Sequence, residues 1–99
     1  MTVIRSWNGT TRPECADAYL RFLRETMVPK ILALPGCLGV EVLRRGADHF
    51  VVQSRWVSED AIASFAGPDP EHGVVPEEAR RLLSEFDTRA RHFILEELD

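Results

Sequence analysis

An α+β fold, an antiparallel sheet with helices on one face, is the architecture this sequence predicts, and three observations support it. Phe50 to Trp56 is aromatic and aliphatic, holds no Pro or Gly, and stops two residues before a capped amphipathic helix. Cys37 to Arg45 is a second β-rich run, separated from the first by Gly46-Ala47-Asp48, a spacer short enough for a hairpin. A long stretch with apolar residues at 3–4 spacing precedes both, and strand-like runs lie near each end of the chain.

In chain order, Val3 to Trp7 alternates Val3, Arg5 and Trp7 against Ile4, Ser6 and Asn8 and reads as a strand that Asn8-Gly9 ends. Thr11-Arg12-Pro13-Glu14 has the spacing of a capping box with Pro in the first turn. The helix it opens sets Cys15, Ala18, Tyr19, Phe22, Leu23, Met27, Ile31 and Leu32 on one face. Pro29 predicts a kink or break near Val28, because a mid-helix proline lacks the N–H and crowds the preceding turn. Pro35-Gly36 stops it. In the strand from Phe50, the residues Phe50, Val52, Ser54 and Trp56 share one face and His49, Val51, Gln53 and Arg55 the other. Ser58 caps the next helix, Glu59 and Asp60 place negative charge at its positive end, and Gly67-Pro68 ends it. A proline-punctuated loop follows, then a short helix from Pro76 to about Phe86 and a last strand from Arg89 to Leu98. The resulting order, β-α-β-β-α-β with an extra helical segment, is the ferredoxin-like arrangement. It leaves one sheet face bare, with apolar residues such as Val51 on it, and this predicts a two-fold homodimer joined sheet to sheet.

The 99 residues allow one domain, 1–99, with one core. With 44% hydrophobic and 28% charged residues the chain is expected to fold. A net charge of −4 argues against nucleic acid as a partner, which needs clustered Lys and Arg. No apolar run approaches the roughly 18–20 residues of a membrane span, and Met1-Thr2-Val3-Ile4-Arg5 lacks a signal-peptide pattern, so no membrane partner and a cytoplasmic location are expected. Cys15 and Cys37 are too far apart, and too far from His, for a zinc or redox motif, which predicts free thiols and no metal cofactor.

The chain resembles the antibiotic biosynthesis monooxygenase-like proteins of the dimeric α/β-barrel superfamily. The residues that support the resemblance are Ile4 to Gly9, Pro35 to Gly39, the corner Trp56-Val57-Ser58 with Ile62 to Gly67, and Arg91-His92-Phe93. It implies a homodimer and, in some members, cofactor-free oxygenation of aromatic polyketides; other members are haem-degrading oxygenases. The haem-degrading type pairs a first-strand Asn and a corner Trp with a His one helix on. Here Trp56 matches the Trp, Ser6 stands at the Asn position with Asn8 two residues away, and the His position falls near Ala66, so neither haem nor another cofactor is expected. Pro70-Glu71-His72 resembles the Pro-x-His segment of related barrel cyclases, where the His is a general base.

Two classes of function remain open: a cofactor-independent monooxygenase or related cyclase acting on an aromatic or polyketide-like molecule, and a non-catalytic dimer, stress-associated or binding a small aromatic or apolar ligand in the same cavity. For the first, Trp56 is the candidate for positioning the ring and His72 or His92 for moving a proton, since imidazole titrates near neutrality. Trp7, Asn8, Tyr19, Phe22 and Phe65 are the candidate ligand-binding residues, lining a cavity between sheet and helices. Trp56 and His72 are expected to border the same cavity. Arg5 and Arg55 are expected on the dimer face, structural when paired with Glu41 or Glu96, with binding of an anionic substrate as the alternative.

Overall fold

The computed structural model of the protein describes residues 1–98. One antiparallel sheet carries all the helices on one face, the ferredoxin-like arrangement. Its strands are β1 (Val3–Thr11), β2 (Cys37–Arg45), β3 (His49–Trp56), β4 (Leu83–Phe86) and β5 (Arg91–Ile94). The order is β2-β3-β1-β4, and β5 also pairs with β1. β1 is therefore central: β3 lies along one edge, while β4 takes Gly9 to Thr11 and β5 takes Val3 to Ser6 of the other.

β1 is longer than the sequence suggests, because Asn8-Gly9 continues the strand instead of turning. Gly9 pairs with Phe50 on one side and Phe86 on the other. A side chain there would meet the Trp7 ring at 2.7 Å, so the glycine makes room for an indole, not for a bend. Since β1 runs to Thr11, the expected capping box does not form. The helical segment begins instead as a 3-10 turn, Pro13–Cys15, after an uncapped Arg12.

That segment continues through α1 (Ala16–Phe22), a π-helical turn (Leu23–Met27) and α2 (Val28–Leu32). The break expected near Val28 is this π turn: Val28 N–H reaches back five residues to the Leu23 carbonyl. Widening the turn just before Pro29 relieves the crowding its ring causes. α3 (Glu59–Ala66) begins as expected, with Ser58 Oγ accepting from the Ala61 N–H at 3.2 Å, and ends at Gly67 with φ 84°.

Two boundaries differ after Pro76. The helix predicted to Phe86 stops as α4 (Glu77–Leu82), and Leu83–Phe86 becomes β4, because β1 offers an unpaired edge there. The last strand is shorter than Arg89 to Leu98. Its partner β1 starts at Val3, opposite Ile94, and one further bond, Leu95 N–H to the Thr2 carbonyl at 2.9 Å, closes the pairing.

The inner face of the sheet presents Val3, Arg5 and Trp7 from β1 and Phe50, Ser54 and Trp56 from β3, all buried. Tyr19, Phe22, Leu23, Met27 and Ile31 of the long helical segment and Ile62 and Ala66 of α3 close over them. Tyr19 meets Phe50 edge to face with centroids 5.2 Å apart. The outer face has no layer above it. Register puts Ile4, Phe93, Val51 and Leu43 there, and Phe93 is 53% exposed. Both cysteines are free. Among the described residues no helix is long and apolar enough to cross a membrane.

Candidate functional site

A cavity lies between the inner sheet face and the helices, and its lining follows from the strand alternation. β1 contributes Arg5 and Trp7, β3 contributes Val52 and Ser54, and the long helical segment contributes Tyr19, Phe22, Leu23, Met27 and Ile31. Phe65 of α3, Ala79 of α4 and the segment Val74-Val75-Pro76 complete it. Its empty space is about 460 Å³ counting the mouth, but only about 30 Å³ is open to the centre of a water molecule. It is a slot with room for a water or two, and a ring enters only if lining side chains move. Met27, unbranched and adaptable, is suited to that movement.

The walls are apolar and aromatic except for three groups. Ser54 is committed, its Oγ accepting from Trp56 Nε1 at 2.8 Å. Burial pushes the Tyr19 phenol well above its usual range, so it is a neutral O–H at physiological pH. The third is Arg5, 3% exposed and the one charge in the lining. Its Nη1 donates to the Pro70 carbonyl and to His92 Nε2 (3.1 Å), its Nη2 donates to the His72 carbonyl, and its guanidinium lies 5.3 Å from the Phe65 ring centre. Burial lowers its pKa to about 10, partly offset by Asp69 and Glu71, which leaves it cationic at neutral pH. Arg5 thus belongs to the inner face and not to the outer one where it was expected. Arg55 does lie on the outer face, bonded to Glu41 at 2.6 Å.

Of the predicted ligand-binding residues, Trp7, Tyr19, Phe22 and Phe65 line the cavity. Asn8 does not: its alternation places it on the outer face, where Oδ1 meets His49 Nε2 at 3.1 Å and Nδ2 donates to Asp87 at 3.2 Å. Trp56 is fully buried behind the lining, stacked on Phe65 with centroids 6.3 Å apart. His72 is an exposed residue, held by its main chain, which donates to the Asp69 carbonyl and accepts from Arg5. The expected border shared by Trp56 and His72 is not formed. The Pro68-to-Gly73 loop does fold back, but it is the carbonyls of Pro70 and His72 that reach the site. Arg89 fastens the same loop from outside through Asp69 (2.8 Å) and Glu71 (3.0 Å). His92 stands beside Arg5 without lining the cavity. Burial first, then the Arg5 charge, pushes its pKa down, and its Nδ1 is buried without a partner. Among the described residues no cluster of three or more His, Cys, Asp and Glu is arranged to hold a metal ion.

The signal that could have placed Arg5 on the inner face is the parity it shares with Val3 and Trp7. The tie to His92 has no such signal, because it depends on the register of β5 against β1, which pairs Arg5 with His92.

The sequence pattern that defines the antibiotic biosynthesis monooxygenase family matches residues 2–69. The chain belongs to that family. The matched region holds β1 to β3, the long helical segment and α3, and with them most of the cavity; His72, α4, β4 and His92 lie beyond it. No curated protein sequence matches the chain. Solved structures resemble it over nearly its whole length. Rv0793 from Mycobacterium tuberculosis is 21% identical with a TM-score of 0.64, over 100% of this chain and 97% of that one. NE2512 from Nitrosomonas europaea, of unknown function, is 17% identical with a TM-score of 0.74, over 99% and 94%. SnoaB, a cofactor-independent oxygenase from Streptomyces nogalater in its N63A form, is 15% identical with a TM-score of 0.69, over 98% and 95%. At these identities the likeness is one of fold.

Proposed function

We propose that this protein is a cofactor-independent monooxygenase that oxidises a flat aromatic or polyketide-like molecule held in the cavity between sheet and helices. The observation that carries the reading is a buried, aromatic-walled slot in a member of this family, with Trp7, Tyr19, Phe22 and Phe65 around one space. Such a slot excludes water from a reactive intermediate, and aromatic walls hold a planar ring by its faces. The balanced reaction is conversion of a ring methylene to a carbonyl by dioxygen. Two C–H bonds break and a C=O forms; one oxygen atom enters the product and the other leaves as water. All four electrons come from the substrate, so no external reductant enters.

The test is formation of the quinone from a polycyclic phenol whose keto tautomer carries a ring methylene, in chelator-containing buffer under ¹⁸O₂. Uptake of one label into the new carbonyl supports the reading, and unlabelled product or none removes it.

A second reading, a non-catalytic ligand-binding protein, draws on a specific feature: among the described residues no imidazole or carboxylate lines the cavity to take a proton. In either case the bare outer face, with Ile4, Val51, Leu43 and Phe93, supports a homodimer joined through the sheets.

A further inference from the structure

We propose that Arg5 is the ligand-binding residue of this cavity and that it selects flat molecules carrying an anionic oxygen, a phenolate, enolate or carboxylate conjugated to the ring. The inference deepens the oxygenase reading and rests on the same cavity.

Taking a guanidinium out of water is costly unless something compensates the charge. Arg5 is 3% exposed, yet among the described residues no carboxylate bonds to it; its three hydrogen bonds go to two carbonyls and a neutral ring nitrogen. The nearest acids, Asp69 and Glu71, act only through space, and both are engaged by Arg89. The positive charge is therefore bonded only to dipoles, with Asp69 and Glu71 compensating it through space, and it stands at the wall of an apolar slot. A guanidinium has five N–H donors in a planar fork. Three are taken, which leaves two without a protein acceptor, the number a paired oxygen site uses. Phe65 under the guanidinium and the two loop carbonyls fix its plane. An oxygen anion arriving there meets a preset charge in a medium of low dielectric, where the attraction is far larger than in water. A neutral ring of the same shape gains only the apolar contacts. The conjugate base of a phenol or enol, its proton released to solvent before binding, is also the electron-rich form, so the same contact would favour the species that reacts with dioxygen.

The experiment compares 2-naphthoate with 2-naphthamide, equal in shape and different in charge, by calorimetric titration of the wild type, Arg5→Lys and Arg5→Met. The wild type should bind naphthoate at least about tenfold tighter than naphthamide, a difference of about 1.4 kcal/mol. Arg5→Lys should keep part of that preference and Arg5→Met should lose it. If Arg5→Met fails to fold, the wild type still decides: naphthoate, and not naphthamide, should shift the ¹⁵Nε resonance of Arg5. Equal affinity for the two probes, or a preference that survives in Arg5→Met, overturns the role of Arg5 and leaves the oxygenase reading standing if turnover persists. Binding of neither probe removes the cavity as a ligand site, and both readings fall together.

Discussion

Arg5 Nη1 lies 3.1 Å from His92 Nε2, and the pair fixes the state of the imidazole. A guanidinium can only donate, so Nε2 accepts and the ring proton sits on Nδ1. A second proton would set two cations in contact inside the protein. Burial and the Arg5 charge lower the pKa of His92, partly offset by Glu59, Glu71 and the Pro70 backbone. The unfolded chain titrates this histidine at about 6.5. Below that pH the unfolded state binds a proton that the folded state refuses, so stability falls as pH falls towards the depressed folded value. His92→Gln, whose side-chain oxygen can still accept from Arg5, should flatten that fall. Urea midpoints at a pH above and a pH below the unfolded value check this: the wild type should lose more on acidification than the variant.

Gly9→Ala should destabilise the fold by about 1–3 kcal/mol, the usual cost of overpacking. The added carbon would lie 2.7 Å from the Trp7 ring and 3.1 Å from Leu83, with Phe50 and Phe86 paired on either side of the strand. Denaturant unfolding measures the loss, and a shift in tryptophan emission should report the displaced indole.

Trp56→Phe should cost about 1–3 kcal/mol, because Ser54 Oγ loses its buried donor. His72→Ala should stay within about 0.5 kcal/mol of the wild type and leave turnover unchanged, since only its main chain is engaged with the site. Thermal unfolding and steady-state rates of both variants check the contrast. A large loss of turnover in His72→Ala would return that imidazole to the reaction.

The legible part of the fold is the part that local pattern dictates. The Cys37-to-Trp56 hairpin, the Ser58 cap and the Gly67 stop each follow from a few adjacent residues, and each is found in place. Residues that depend on distant strands were not legible. Leu83 to Phe86 has apolar spacing that suits a helix as well as a strand, and the free edge of β1 decides for the strand. Asn8 looked like a site residue and a strand terminator, whereas alternation carries it to the outer face. For the site, the aromatic lining was readable from composition and spacing. The choice between His72 and His92 was not, because the loop that bears His72 turns its carbonyl inward and its side chain out, a main-chain detail that no residue type announces.

Phe93→Glu should shift the assembly towards monomer. Phe93 is paired with Ile4 on the outer face and 53% exposed, and a charge there would be buried without a partner between two sheets. Sedimentation velocity at micromolar concentration checks it, with a dimer expected for the wild type. A wild type that stays monomeric and stably folded would contradict the sheet-to-sheet arrangement.

Oxygenation in the slot beside Arg5 requires that slot to be open to a ring, and Ala79→Leu closes it. Ala79 is a buried lining residue on α4 with no polar side chain, so the larger residue fills the slot while leaving every hydrogen bond of Arg5 in place. The measurement is dioxygen uptake with the polycyclic phenol, wild type against Ala79→Leu, with folding checked by circular dichroism. The wild type should consume one dioxygen per quinone formed, and the variant should lose about tenfold or more in kcat/KM, about 1.4 kcal/mol of transition-state stabilisation. Equal turnover by a folded Ala79→Leu protein would contradict oxygenation in the slot.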